Sequence, residues 1–339
     1  MHLFQDHTPQ DRRPRGHALT RGVAARPMRR FHAAVAALLL AAASTGCGGG
    51  ASSAQAPGAA APAEALTRLI DDLRRDDLAG FARHSVPPAL HARLAIAWSE
   101  GRTSWPLTEL PLEDRLPSAI AALAAKDSEK TLLAAYHRQF AHADGELRSA
   151  AATIGLFAAQ YVRSEGDYST EERGHYVQLI AALSDWGRQA PLGDPALAKA
   201  TLGQLATAAR ATGIKDRDTF ARAGMERTLG RLGPLAWRLR GVLLRYGLDI
   251  DATLASARVA VIEHNGDQAR LRLTYTLGDK AIDAVVLAER REGRWYLRDL
   301  LRHAEVEAAR TGTPREAPTS VVQHNGEAPP PRPASDAHH

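Results

Sequence analysis

The feature that most constrains the fold is a stretch of alternating apolar and polar residues near the end of the chain. Apolar residues alternate with polar ones over 257–261, Asn265-Gly266 follows, and a second alternating run covers 269–277. Asn-Gly between two such runs is the strongest short-range signal for a β-hairpin. Further glycine turns stand at 278–279 and 292–293. The pattern predicts a four-stranded antiparallel meander that is apolar on one face.

Upstream of this stretch, residues 64–246 have apolar residues at helical spacing instead. Ser169 and Glu172 have the spacing of a capping box, and Asp194-Pro195 places an N-cap before a proline at the first helical position. Gly233-Pro234 predicts a break between the last two helices. No fixed repeat period is present. The predicted fold class is therefore α+β, a mainly helical antiparallel array with a C-terminal four-stranded antiparallel β-meander packed against helices.

Composition changes sharply towards both ends of the chain. Apart from Gln55, residues 48–62 are Gly, Ala, Ser and Pro without charge, which is typical of a flexible spacer. The last residues of the chain are rich in proline and poor in large apolar side chains. The sequence predicts these segments: 1–46, a signal peptide; 47–63, a lipidated cysteine and flexible tether; 64–246, the helical region; 247–310, the β-meander with a short closing helix, packed on helix 64–83; and 311–339, a disordered Pro-rich tail.

The single cysteine, Cys47, follows an export signal. Arg29 and Arg30 precede an apolar run of eleven residues, 33–43, and small residues then lead to Cys47. A membrane-spanning helix needs about 18 apolar residues, so the run fits a signal peptide rather than a span. With no second cysteine in the chain, the sequence predicts neither a disulfide framework nor a cysteine zinc site.

The small residues before Cys47 resemble the lipobox of bacterial lipoproteins, with Ser44 where leucine is usual. The resemblance implies a diacylglycerol and palmitate anchor on Cys47, and the Gly48 that follows implies sorting to the outer membrane, facing the periplasm. Met28 begins a signal of ordinary length, so 28–46 is expected to be the true signal and 1–27 an extension from a misassigned start. The alternative is a plain secretory signal that leaves Cys47 as a free thiol.

The net positive charge of the chain comes from this leader. Residues 1–46 contain seven of the 43 Lys and Arg and two of the 38 Asp and Glu, so the rest has 36 of each and a formal net charge of zero. The high isoelectric point therefore gives no argument for a nucleic-acid partner. The expected partners are the membrane, through lipidated Cys47, and an envelope protein or glycan.

Two segments carry a second resemblance. The closing strand begins Glu292-Gly293-Arg294-Trp295-Tyr296, and the first helix leads through an acidic turn to Phe81. Together, 64–85 and 254–300 are similar to the nuclear-transport-factor-like and cystatin-like domains found in bacterial lipoproteins. The resemblance implies that helix 64–79 packs across the concave face of the sheet and forms a pocket with it. Because such domains include enzymes and binding modules, the fold alone does not assign a chemistry.

The sequence contains no recognisable catalytic, phosphate-binding or calcium-binding motif, and it predicts no catalytic residue, metal or cofactor. His137 and His142 are five residues apart, about 140° around a helix, which does not suit one metal ion. The ligand-binding candidates are four residues near one another in sequence: Tyr168, His175, Tyr176 and Trp186.

Two residue sets leave alternatives open. Trp98, Trp105, Trp186 and Trp237 are either sugar-stacking platforms or buried packing anchors. Six arginines in the last helices form either a strip for anionic lipid headgroups or an acidic partner, or an ordinary solvated face: Arg222, Arg227, Arg231, Arg238, Arg240 and Arg245.

The function predicted from the sequence is that of a lipid-anchored bacterial envelope protein with a non-catalytic, protein- or ligand-binding role. The alternatives are a glycan-binding protein, or a lipid-anchored periplasmic hydrolase that pairs His175 with Asp167 or Glu172. A cleft that holds a His–carboxylate pair would favour the enzyme.

Overall fold

The computed structural model describes residues 56–311, so the predicted signal peptide, Cys47 and all but the first residue of the predicted tail lie outside the described residues. Within this range the fold is α+β and mainly helical, with a four-stranded antiparallel sheet, which confirms the predicted fold class. The helices are α1 (Pro62–Arg74), α2 (Leu78–Ser85), α3 (Pro88–Ser99), α4 (Leu116–Ala124), α5 (Ser128–Gln139), α6 (Asp144–Ser164), α7 (Thr170–Gln189), α8 (Pro195–Thr212), α9 (Arg217–Arg222), α10 (Met225–Arg245), α11 (Ile250–Ala255) and α12 (Arg298–Ala308). The strands are β1 (Arg258–Asn265), β2 (Gln268–Leu277), β3 (Lys280–Arg291) and β4 (Arg294–Leu297).

The sheet is a simple meander in the order β1-β2-β3-β4. Asn265 pairs with Gln268 across the first turn, and Gly266 there has φ +58°, a conformation that glycine adopts without strain. Every second residue of β2, from Ala269 to Leu277, is buried. The alternation in the sequence therefore predicted both the pairing and the buried face.

Helix α1 lies across the buried face of the sheet and contacts all four strands. Its Leu66, Leu69 and Ile70 are almost fully buried in the same apolar cluster as Leu271 and Tyr275 of β2. Burying such side chains contributes about 1.5–3 kcal/mol each relative to leaving them exposed. The burial of α1 thus depends on packing against strands that come almost two hundred residues later in the chain.

Helix α7 protects the edge of β3 beyond the end of β4. β4 pairs only with Ala288 to Arg291, which leaves the earlier part of β3 without a strand partner on that side. There the Gln178 side chain donates from Nε2 to the Asp283 carbonyl (2.8 Å) and accepts through Oε1 from the Asp283 N–H (3.0 Å). One side-chain amide therefore satisfies both main-chain groups of an exposed edge residue.

The predicted break at Gly233-Pro234 is wrong, because α10 continues through both residues. Gly233 is buried against the turn between α1 and α2, and a Cβ at this position would lie 2.5 Å from the main-chain oxygen of Asp76. The close approach allows an Arg240 nitrogen to lie 2.5 Å from the Asp76 carboxylate. Gly233 therefore allows α10 to pack closely against this turn, and it does not mark the end of a helix.

A second apolar cluster holds the helical layers together away from the sheet. Trp98 and Trp105 are its largest members, both at most 1 % exposed, and Trp98 stacks on Phe220 with ring centroids 5.2 Å apart.

Within residues 56–311, no helix combines the length and the apolar character needed to cross a bilayer.

Candidate ligand-binding site

A cavity of about 120 Å³ lies between the sheet and the helices that cover it. One water molecule needs roughly 10–15 Å³ on the same measure, so the space admits a small organic molecule. Most of its wall is apolar, and the polar groups come from α7, α12 and a short 3₁₀ helix, Leu107–Glu109, between α3 and α4. The lining residues are Leu66, Leu69, Phe81, Glu109, Glu171, Glu172, His175, Tyr176, Leu273, Val285, Val286, Leu297, Asp299, Leu300 and His303.

His303 of α12 joins two buried carboxylates at the polar end of the cavity. Its Nδ1 lies 2.9 Å from a Glu109 oxygen and its Nε2 lies 3.2 Å from a Glu172 oxygen. Burial lowers the pKa of His303, as does the charge of Arg302, but contacts with Glu109 and Glu172 outweigh both effects and raise that pKa to about 9. At neutral pH this ring is therefore a cation that bridges two acids.

Glu172 has a second role at the start of α7. Its side chain accepts from the Ser169 N–H (2.7 Å), while its own N–H donates to the Ser169 Oγ (3.1 Å), which is the capping box indicated by the sequence. A guanidinium nitrogen of Arg302 lies 2.5 Å from Oε2, the same Glu172 oxygen that accepts from Ser169. Burial raises the pKa of Glu172 despite these cations.

His175 takes part in a separate, uncharged contact. Its Nε2 lies 2.6 Å from the hydroxyl oxygen of Tyr275, on β2. Burial lowers the pKa of His175 to about 4 and raises that of Tyr275, so both side chains are neutral at physiological pH. With both groups neutral, the phenol O–H can donate to the unprotonated ring nitrogen.

The structure separates the four ligand-binding candidates. His175 and Tyr176 line the cavity. Tyr168 contacts the edge of Tyr176 from outside the cavity lining, with ring centroids 5.4 Å apart. Trp186 lies further along α7, where its Nε1 donates to the main-chain oxygen of Tyr246 (2.8 Å).

The pairing required by the hydrolase alternative is not the one that the structure contains. His175 bonds Tyr275, whereas Glu172 contacts His303 and Arg302, and Asp167 contacts Arg302 at 3.2 Å. The cavity does contain a His–carboxylate cluster, but its histidine is His303. The sequence did not predict Glu109, Asp299 or His303 as site residues. The one local signal for them is the four-residue spacing of Asp299 and His303, which places both on the same face of α12.

The tryptophans and the histidine pair have ordinary positions. Trp98 and Trp105 are core residues, so neither offers a free face to a sugar, and Trp237 is 54 % exposed. His137 and His142 lie at and beyond the end of α5. Among residues 56–311, no group of three or more His, Cys, Asp or Glu side chains is arranged to hold a metal ion.

No protein family, curated protein or solved structure matches this chain. The cavity and the surface of the described residues are therefore the basis for inferring its function.

Proposed function

We propose that this chain is a lipid-anchored bacterial envelope protein that binds a small ligand in the cavity without catalysing a reaction on it. The observation that carries the proposal is the engagement of His303 by a carboxylate at each ring nitrogen. A general base needs an unprotonated nitrogen near neutral pH, and a ring with a pKa of about 9 is almost wholly protonated there. The other histidine of the cavity, His175, is held by Tyr275.

The serine beside the cavity does not supply a nucleophile either. The Oγ of Ser169 accepts from the Glu172 N–H and donates to an Asp299 oxygen at 3.0 Å. A nucleophilic serine needs an adjacent base that removes its proton, whereas this hydroxyl caps a helix. The arrangement supports a rigid binding wall.

The chemistry of the wall indicates the ligand class. Four carboxylates line the cavity beside one imidazolium: Glu109, Glu171, Glu172 and Asp299, with His303. Glu109 and Glu172 contact that ring. Asp299 accepts from the Ser169 Oγ and lies 3.6 Å from Arg302, whereas the cation paired with Glu171 is 3.8 Å away. Glu171, which has the weakest contact of the four, is thus the acid most available to a ligand. We therefore propose a ligand with an apolar body and a cationic group, such as an amine.

The envelope location rests on the lipobox resemblance at Cys47 and on the uncharged spacer after it. A diacylated cysteine gives stable anchoring without a spanning helix. The spacer would hold the binding domain off the outer membrane on its periplasmic side, within reach of small molecules there.

The test uses the fluorescent apolar dye phenylnaphthylamine with the full chain and two valine variants. Val286→Trp places an indole in the cavity wall, and Val261→Trp makes the same change on β1, where the side chain is 45 % exposed. We expect dye binding to be lost in the first variant and kept in the second. Octylamine should displace the dye at roughly one tenth of the concentration that octanoate requires, because its ammonium meets carboxylates.

Equal dye binding by Val286→Trp and the unchanged chain would show that the cavity is not the binding site. Better displacement by octanoate than by octylamine would refute the cationic ligand class. Thermal unfolding of each variant establishes that a loss of binding does not reflect a loss of fold.

A further inference from the structure

One side of α10 presents a row of arginines. Arg227, Arg231, Arg238 and Arg245 are spaced by four, seven and seven residues. At about 100° per residue they fall within about 40° of one another around the helix, in a row about 27 Å long. Arg227, Arg231 and Arg245 are exposed, and Arg238 is half-buried.

The acids near this helix are engaged elsewhere. Glu226, the one acid within α10, has its carboxylate 3.0 Å from Arg83 and 3.3 Å from His91. Asp76 and Asp251 contact Arg240, which points to the other side of the helix. Among residues 56–311, no carboxylate lies within ion-pairing distance of the four arginines in the row. The row is therefore locally basic on a domain whose overall charge is balanced.

Large apolar side chains stand beside the row. Trp237 is 54 % exposed and Leu244 is 53 % exposed, and their seven-residue spacing places both on the same flank of α10. The Arg238 guanidinium lies over the Trp237 ring, 4.7 Å from its centroid. Exposed tryptophan next to cationic side chains is the combination that partitions into the headgroup region of a bilayer.

We propose that this face of α10 binds the surface of an anionic phospholipid bilayer. A headgroup surface requires charge and an amphipathic ring rather than a complementary groove. The contact is separate from the ligand cavity and does not depend on acylation of Cys47. In an anchored chain, it would set which side of the domain faces the membrane.

The experiment measures cosedimentation of the full chain carrying Cys47→Ser, which cannot be acylated there, with two kinds of vesicle. One contains phosphatidylcholine alone and the other equal parts of phosphatidylcholine and phosphatidylglycerol. We expect binding to the second only, weakened by added salt. Arg231→Gln with Arg238→Gln should reduce it roughly 25-fold, about fivefold per arginine, and Trp237→Ala should reduce it as well.

The matched control is Arg138→Gln with Arg163→Gln, which removes the same charge from exposed positions on α5 and α6. This variant should bind anionic vesicles as the parent does. Equal losses in the two double variants would overturn the proposal, since they would reflect net charge alone. It would also be overturned if the parent failed to bind anionic vesicles, including the case in which it bound an acidic polypeptide instead.

Discussion

The main-chain oxygen of Asp76 lies so close to Gly233 that an added Cβ would approach it to 2.5 Å. Asp76 itself has φ +55°, so the turn that presents this oxygen is already in a restricted conformation. Neither the turn nor the helix is free to move away without losing the contact between Asp76 and Arg240.

Gly233→Ala should therefore destabilise the protein by about 1–3 kcal/mol, as overpacking typically does. Gly230→Ala is the control in the same helix, because nothing lies within 4 Å of the added Cβ. There the better helix propensity of alanine should raise the free energy of unfolding by up to about 1 kcal/mol. Urea unfolding measures both, and changes of the same sign would contradict the packing role of Gly233.

The stability of the fold should depend on pH through His303. Its pKa in the folded protein is about 9, above the ordinary histidine value of about 6.5, so the folded state binds the proton more tightly. The resulting stabilisation is fully present below about pH 6.5 and is lost as the pH rises through about 9. From the size of the shift, the loss is on the order of 3 kcal/mol.

His303→Gln should remove most of this slope in the free energy of unfolding, measured by denaturant titration at pH values across the interval. His137→Gln, at an exposed position of α5, should leave the slope as it is. An unchanged slope in His303→Gln would show that the ring is not the group responsible.

Gln178 should protect the edge of β3. Because its amide accepts from and donates to Asp283 and also donates to the Gly174 carbonyl, Gln178→Ala removes three hydrogen bonds, with a net cost of about 1–3 kcal/mol. Hydrogen exchange followed by mass spectrometry should show faster exchange for the β3 segment that contains the Asp283 amide. Gln160→Ala, at an exposed position of α6, is the control, and matching exchange in the two variants would refute the edge-capping role.

The predicted anchor has a direct test. Growth with labelled palmitate should mark the unchanged protein, and Cys47→Ser should abolish the label, because Cys47 is the single cysteine of the chain. A label that survived the substitution would rule out acylation at this residue and leave the plain secretory signal as the explanation of the leader.

Local signals were sufficient for the sheet and for several helix starts. Alternation over 269–277 fixes which residues of β2 are buried, and Asn265-Gly266 fixes the turn. The capping box at Ser169 and the N-cap at Asp194 are equally local, since each bonds main-chain groups no more than three residues away. Such features depend on neighbours in the sequence, so the sequence is enough to find them.

The role of Gly233 and the make-up of the cavity could not be predicted from local sequence, because both depend on distant segments of the chain. A glycine before a proline indicates a helix end unless another part of the chain comes close, and here the turn at Asp76 does so. The polar end of the cavity joins Glu109, Glu172 and His303, which are far apart along the chain. His175, a ligand-binding candidate from the sequence, does lie in the cavity wall, but its partner Tyr275 comes from the distant strand β2 and could not be predicted locally.

The attachment of residues 56–59 has a mechanical consequence. Ala59 exchanges two main-chain hydrogen bonds with Trp295 of β4, and Arg68 and Arg294 both donate to the carbonyl of Gly58. A pulling force applied through the chain before Ala56 is therefore shared between the sheet and α1 before it reaches any other helix. Drag on a tethered domain would therefore load its most extensively bonded part first, and that part includes Leu66, Leu69 and Leu273 of the ligand-cavity wall.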